Sequence, residues 1–222
     1  YGNWLLPAEN DLPLQTIVEA ISTRLHKITG DSELLKNLEW FKNRAEEQNN
    51  LEAPIIRKPF FCSGCPHNSS LKVPEGKRAL GGIGCHYMAV DSIESTEFFT
   101  QMGGEGTPWI GIAPFSHEKH VFANLGDGTY KHSGILAIRA SLDANVNITY
   151  KILYNDAVAM TGGQEIGSNW DVEGIVKQVL AEGVKKVSIL SEDPKRYNHL
   201  IKNGVKSLHR DAIITEQEEL SK

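Results

Sequence analysis

Long apolar runs are missing from this 222-residue chain. A membrane span needs roughly 18–20 consecutive apolar residues, so none is expected, and no signal-peptide pattern is present either. Basic runs are missing too. Lys and Arg total 23 against 28 Asp and Glu, a formal net charge of −5 that argues against a nucleic-acid partner. Cysteine is scarce, and all three, Cys62, Cys65 and Cys85, fall within one short stretch. A disulfide scaffold spreads its cysteines along the chain, whereas a metal site gathers them; the expected compartment is therefore reducing and cytoplasmic. No initiator methionine opens the sequence, and YGNWLLPAEN reads as the interior of a longer chain. No internal repeat or low-complexity tract stands out.

What is present is a packed α/β composition, with 40% hydrophobic residues and 20 glycines. Leu14, Ile17, Val18, Ile21, Leu25 and Ile28 share one face at helical spacing. Asp31 and Ser32, after Gly30, offer N-cap chemistry for a second helix through about Gln48. NNLEAPIIRKP then breaks the periodicity, so residues 1–57 are expected to be a helical lead-in and linker, and residues 58–222 the main domain. There the texture changes to short apolar runs alternating with glycines and helices. KRALGGIG, TEFFTQM, HVFANL, ITYKILYN and KKVSIL read as five strands, with helices over Thr129–Leu142 and 171–183. That alternation predicts an α/β domain with a mostly parallel sheet and helices on both faces. Ligands in such sheets collect beyond the carboxyl ends of the strands. The loops GGIGC, GDG and NDA all stand at such ends.

Gly126 and Gly128 let the backbone turn sharply around Asp127 and admit a bulky anion, with Asp127 near the positive end of the following helix. Asn155 ends the next strand, with 26 residues between it and Gly128, so a βαβ unit sets the two tips side by side. One carboxylate, one amide oxygen and a nearby backbone carbonyl form a hard oxygen set suited to Mg²⁺ or Ca²⁺ rather than Zn²⁺. Mg²⁺ completes its octahedron with water and substrate phosphates, so the parts together predict a metal-held diphosphate.

FFCSGCPHN, ALGGIGCHYM, MGGEGTPWIG, EKHVFANLGDGTYKHSGILAIRA and NITYKILYNDAVAMTGGQ, in this order, closely resemble the thiamine diphosphate module of indolepyruvate:ferredoxin oxidoreductases, in particular the long single-chain bacterial form. The similarity is dense over residues 58–200, and GNWLLP fits the same family. The resemblance implies a thiamine diphosphate-binding fold and oxidative decarboxylation of an aryl 2-oxoacid to an acyl-CoA, with electrons passed to ferredoxin. Carried over by position, Asp127 and Asn155 would ligate Mg²⁺ by side chain and Ala157 by its carbonyl. Gly126, Gly128 and Thr129 would line the diphosphate. Gly84, Cys85 and His86 would approach the cofactor from the neighbouring strand end, and Met160 and Thr161 would face it. Tyr154 stands where many thiamine enzymes have a second Asn, which is not itself a ligand.

The CxxC spacing of Cys62 and Cys65, with Cys85 added, suits Fe–S or zinc. The resemblance favours a [4Fe–4S] cluster on these three thiolates. A fourth cysteine is absent, so either the ligand lies beyond residue 222 in a longer chain or the site is incomplete; His67 and His86 are minority substitutes. The glutamate that activates the cofactor comes from a separate domain in this architecture, so the chain alone is expected to be inactive. Its implied partners are a pyrimidine-binding domain, the aryl 2-oxoacid, CoA and ferredoxin, within a homo-oligomer, with neither nucleic acid nor membrane.

Several residues carry ordinary readings. Glu105 either touches substrate or is simply solvated, Trp109 belongs to the core, and His117, His120 and His132 lack metal-ligand spacing. Glu216, Glu218 and Glu219 read as a solvated helix face. Two alternatives to the oxidoreductase remain. A non-oxidative thiamine-dependent decarboxylase leaves the cysteine trio without a purpose. A Rossmann-like binder with structural zinc lacks a complete GxGxxG with its acidic follower.

Overall fold

In a computed structural model, the described residues are 5–8, 11–50, 60–91, 95–167 and 171–222. Most of the expected linker, at 51–59, and the opening YGNW lie outside them. The chain divides into two compact units, Tyr1–Arg57 and Lys58–Lys222.

In the first unit, Pro13 precedes helix α1 (Leu14–Thr29), and Gly30 ends it in the left-handed conformation at φ 70°, donating its N–H to the His26 carbonyl. Only glycine adopts that cap without a Cβ penalty. The Asp31 carboxylate then accepts the Glu33 N–H at 2.9 Å, opening helix α2 (Glu33–Asn49), which packs on α1. Ala20 and Leu38 are buried, whereas Leu14, Ile21, Leu25 and Ile28 of the expected apolar stripe are exposed in this unit. Two helices enclose too little volume to bury a whole stripe.

The second unit begins with short helix α3 (His67–Ser70) and strands β1 (Ala79–Gly81) and β2 (Thr96–Phe99), separated by a 3-10 stretch, Cys85–Asp91. Helix α4 (Thr107–Ile112) leads to β3 (Val121–Gly126). The chain then runs through a helical turn, α5 (Asp127–Thr129), a π turn (Tyr130–Gly134), and helix α6 (Ile135–Asp143) into β4 (Ile148–Leu153). All four strands are parallel, in the order β2-β1-β3-β4.

Val121–Leu125 are all buried, as a strand covered on both faces requires. Alternation sorts them. Val121 and Ala123 pack with Leu80 and Trp109 of α4, while Leu125 packs with Tyr130, Ile138 and the helix α7 (Val172–Ala181) residues Ile175 and Val179. On the opposite face, Leu153 packs with Phe61, Leu71 and Ala89. Helices thus cover one face, and the cysteine-bearing segment with its short helical turns covers the other. Gly134 makes the first face possible: a Cβ there would meet Leu125 Cδ1 at 2.8 Å.

Three features differ from expectation. The NDA tip continues into an antiparallel hairpin, β5 (Ala157–Val158) with β6 (Gln164–Glu165). The fifth expected strand, β7 (Ser188–Ser191), pairs in parallel with β8 (Lys206–His209) in a sheet of its own rather than joining the other four. It packs through Ile189 on Val176 of α7, with Leu200 and Val205. Glu216 in helix α8 (Ile213–Leu220) is buried, accepting from Ser188 Oγ at 2.6 Å and Lys206 Nζ at 3.2 Å, so the solvated-face reading fails there. Among the described residues, no helix is long and apolar enough to cross a membrane.

Tyr150 ties these layers together. Its hydroxyl lies 2.9 Å from Ser141 Oγ, 2.9 Å from the Glu105 carbonyl and 3.1 Å from the Ala137 carbonyl. Burial pushes its pKa up to about 12, keeping the group neutral. Tyr150→Phe is expected to cost about 1–3 kcal/mol, the penalty of leaving interior polar groups unpartnered. Urea unfolding with an unchanged slope checks this; a loss below about 0.5 kcal/mol would refute it.

Candidate cofactor site

The parallel sheet brings the tips after β1, β3 and β4 to one rim. Asp127 is buried, and its carboxylate accepts three backbone hydrogen bonds. Oδ1 takes the Gly128 N–H at 2.9 Å; Oδ2 takes the N–H groups of Asn155 at 2.8 Å and Asp156 at 2.7 Å. The side chain therefore bridges the two tips directly. Asn155 is exposed, and its Oδ1 accepts the Ala157 N–H at 3.1 Å, folding the tip back toward β5. Asp156 is held at φ 59°, a left-handed conformation that Asp tolerates better than most residues.

The hairpin then closes one side of the rim. A Cβ at Gly128 would stand 3.1 Å from Val158 Cγ2, whereas one at Gly126 would meet nothing within 4 Å. Glycine at 128 is thus set by packing, and Gly126 borders open space. Thr129 is buried at the first helical turn; Met160 and Thr161, in the hairpin's 3-10 bend, are exposed. The Thr161 hydroxyl donates to Gln164 Oε1 at 2.6 Å. Lys131 Nζ, on the π turn, donates to the Ile166 carbonyl and holds the hairpin's exit.

Across the rim, His86 is buried, and its Nε2 accepts the Gly82 N–H at 3.1 Å. Burial, with His67 nearby, pushes its pKa down to about 4, so the ring is neutral. It also lies under Gly84, where a Cβ would sit 2.9 Å from His86 Cε1. Gly84 is there because the ring is there.

All three cysteines are free thiols, Cys62 exposed and the other two half-buried. The Cys65 N–H donates to the Cys62 carbonyl at 3.0 Å, closing the CxxC turn. Burial, then the charges of Cys65, Cys62 and Asp127, push the Cys85 thiol up. Burial lowers the pKa of His67, which Asp127 opposes. The three thiols and Asp127 therefore share one electrostatic neighbourhood. Yet no three His, Cys, Asp or Glu side chains among the described residues are gathered closely enough to hold a metal ion. Of the substitute ligands, His86 has Nε2 committed to Gly82, and His67 has Nδ1 at 3.1 Å from Ser70 Oγ.

Trp109 and His120 are buried, the latter with Nε2 at 2.8 Å from Thr149 Oγ1. Glu105 is buried as well, which removes the solvated one of its two readings. Lys131 went unread as part of this rim, and the resemblance that put Ala157, Met160 and Thr161 there did not give their hairpin form; the paired glycines of MTGGQ, with Gly162 at φ 117° and Gly163 at φ 79°, are the turn signal that marks the hairpin.

The family model of the thiamine pyrophosphate enzyme C-terminal TPP-binding domain matches residues 82–202. Two similar proteins are both named indolepyruvate oxidoreductase subunit IorA. The one from Thermococcus kodakarensis is 26% identical over 206 residues, 84% of this chain and 31% of that protein. The one from Archaeoglobus fulgidus is 29% identical over 163 residues, 65% of this chain and 26% of that protein. The chain thus spans less than a third of the length of these relatives. The family match covers more than half of the chain and contains the β1, β3 and β4 tips. The chain belongs to the thiamine pyrophosphate enzymes, through their C-terminal TPP-binding domain.

Proposed function

We propose that the chain holds thiamine diphosphate through Mg²⁺, as one module of an oxidoreductase that decarboxylates aryl 2-oxoacids such as indolepyruvate to acyl-CoA. One observation carries the metal part: a buried carboxylate ties the GDG tip to the Asn155 tip and still has acceptor capacity left. An ionised carboxylate offers about four lone-pair sites. Asp127 uses three on backbone N–H groups. The remaining site on Oδ1, the second lone pair of Asn155 Oδ1 and the Ala157 carbonyl supply the all-oxygen set that Mg²⁺ prefers. The open side at Gly126 leaves room for a diphosphate.

When bound, thiamine diphosphate supplies the carbanion-stabilising chemistry of decarboxylation. The chain's own residues do the rest. Asp127 and Asn155 orient the metal, Gly126, Gly128 and Thr129 admit and line the diphosphate, and Met160 and Thr161 stand on the hairpin at the rim's edge. Gly84, Cys85 and His86 bound the opposite side. Activation of the cofactor is assigned to a pyrimidine-binding domain elsewhere in the full enzyme, which fits a chain matching under a third of its relatives. A homo-oligomeric, cytoplasmic enzyme with ferredoxin as electron acceptor completes the reading.

The [4Fe–4S] cluster rests on the family resemblance alone. Three thiols that are not gathered for coordination, with no fourth, do not fit it as they stand.

Titrating thiamine diphosphate into the chain with and without Mg²⁺ tests the proposal. Binding is expected to require the metal and to weaken by about tenfold or more in Asn155→Ala, a lost ligand. Asp127→Ala is expected to abolish it and also to lower stability by about 2–4 kcal/mol, since three N–H groups lose their acceptor. Metal-independent binding would overturn the assignment. After anaerobic treatment with iron and sulfide, the isolated chain is expected to retain less than a full cluster. Four irons per chain, lost in Cys85→Ser, would show that the thiols can close on one.

A further inference from the structure

Glu105 is fully buried, but its carboxyl is only half used. Oε2 accepts the Gly103 N–H at 2.7 Å, within its own loop, while Oε1 reaches no hydrogen-bond partner among the described residues. Burial pushes this carboxyl's pKa up. Its position is set from behind by Tyr150, whose hydroxyl lies 2.9 Å from the Glu105 carbonyl.

What Oε1 touches is the turn after β1. A Cβ on Gly82 would fall inside the Glu105 carboxyl, the Cδ standing only 2.5 Å away. On its other side Gly82 donates its N–H to His86 Nε2. A Cβ on Gly81 would meet His86 Cδ2 at 3.2 Å and Phe99 Cε1 at 3.3 Å, and one on Gly84 would meet His86. The Gly-Gly-Ile-Gly turn is therefore gripped between an imidazole and a carboxyl, and each of its glycines is small because one of these groups fills the space.

We propose that Glu105 is the positioning residue of the Gly82–Cys85 turn: its carboxyl fills the side-chain space that Gly82 leaves free, links that turn to the 103–106 loop, and sets where Cys85 stands beside Asp127. This rests on reading the rim as the thiamine diphosphate site, and it adds a residue that acts on that site through the turn rather than by contact with the ligand. A neutral amide of the same shape can replace the carboxyl in such a role, whereas alanine leaves a void between the loops.

The test compares Glu105→Gln, Glu105→Ala, Gly82→Ala and the double Gly82→Ala/Glu105→Ala. One measurement is the rate at which iodoacetamide alkylates each cysteine, resolved by peptide mass; the other is the affinity for thiamine diphosphate with Mg²⁺. Glu105→Ala is expected to speed Cys85 alkylation by about tenfold and weaken cofactor binding by about as much, with Glu105→Gln within about twofold of the parent. Cys62, already exposed, keeps its rate throughout. Gly82→Ala loosens Cys85 in the same way, and the double variant lies closer to the parent than Gly82→Ala alone, a coupling expected of residues in contact. An unchanged Cys85 rate in Glu105→Ala overturns the proposal, as does Glu105→Gln behaving like alanine, or a rise shared by all three thiols. If Glu105→Ala does not fold, Gly82→Ala and Glu105→Gln decide by the same criteria. If the parent chain binds no thiamine diphosphate, the functional reading fails and the alkylation rates alone judge the turn.

Discussion

The rim depends on one buried carboxylate meeting three backbone N–H groups. Parallel strands β3 and β4 are in register to their ends, Gly126 opposite Leu153, so the residues that follow leave the sheet side by side with unpaired N–H groups. Buried N–H groups without acceptors cost free energy, and water is the usual remedy at a strand end. Here Asp127 supplies the acceptor from the neighbouring tip. The consequence is geometric: the tip carrying Asn155 and Ala157 cannot drift from the GDG tip without breaking two hydrogen bonds. The site is preorganised by the same bonds that finish the fold.

The two faces of the sheet are held by different forces. Helices α4, α6 and α7 cover one face through apolar packing around Leu80, Trp109, Leu125 and Ile138. The cysteine-bearing segment covers the other with less apolar surface and a four-residue helix. Polar clamps make up the difference. Lys151 Nζ donates to the carbonyls of Ser70, Leu71 and Lys72 at 3.0, 3.2 and 3.3 Å. Gln217 Nε2 donates to the Lys72 carbonyl, and Arg210 to Ser69 Oγ. Lys151 and Gln217 thus satisfy free carbonyls at a helix end, and Arg210 grips a side-chain hydroxyl of the same helix. They also seat His67, the first residue of that helix, and Cys65 just before it against β4 from three distant parts of the chain. Burial pushes the Lys151 pKa down to about 7, so the three carbonyl acceptors do not fully offset the cost of burying its ammonium.

How much of this was legible follows from where the information sits. β3 was readable because a strand buried on both faces is nearly all apolar, and Val121–Leu125 is apolar at every position but Asn124. The pairing of Asp127 with Asn155 was readable because βαβ topology alone puts successive tips together. Trp109 was readable as core for the same reason of simple apolarity. β8 was not: KSLH alternates weakly, and its pairing with β7 follows from the packing of Ile189 and Val205 on α7, which no local pattern states. Glu216 looked like one of three solvated acids, because nothing in EQEEL says that Ser188 and Lys206 wait across the fold. The stripe on α1 was legible as a pattern but not as a buried surface, since a periodicity names a face without saying how much will cover it.

Two of the three described non-glycine residues with positive φ, Phe98 and Asp156, stand where the strand tips meet; the third, Asn145, lies between α6 and β4. β1 pairs with β2 as Ala79 to Thr96 but Gly81 to Phe99, so β2 spends one extra residue over that interval, and Phe98 takes φ 49° there. Asp156 takes φ 59° between β4 and the hairpin, and the helix after Asp127 widens into a π turn. Each departs from regular geometry at some cost, and each lies within a few residues of the rim. A regular sheet and helix would align their tips without aiming them. The extra residue in β2 re-aims the end of that strand, as β-bulges do, and the loop that follows carries Glu105 into contact with Gly82. The π turn carries Lys131, whose ammonium reaches the Ile166 carbonyl and anchors the hairpin against Gly128. The core is regular because burial rewards regularity. The rim is irregular because its side chains must converge on one place from four different strands.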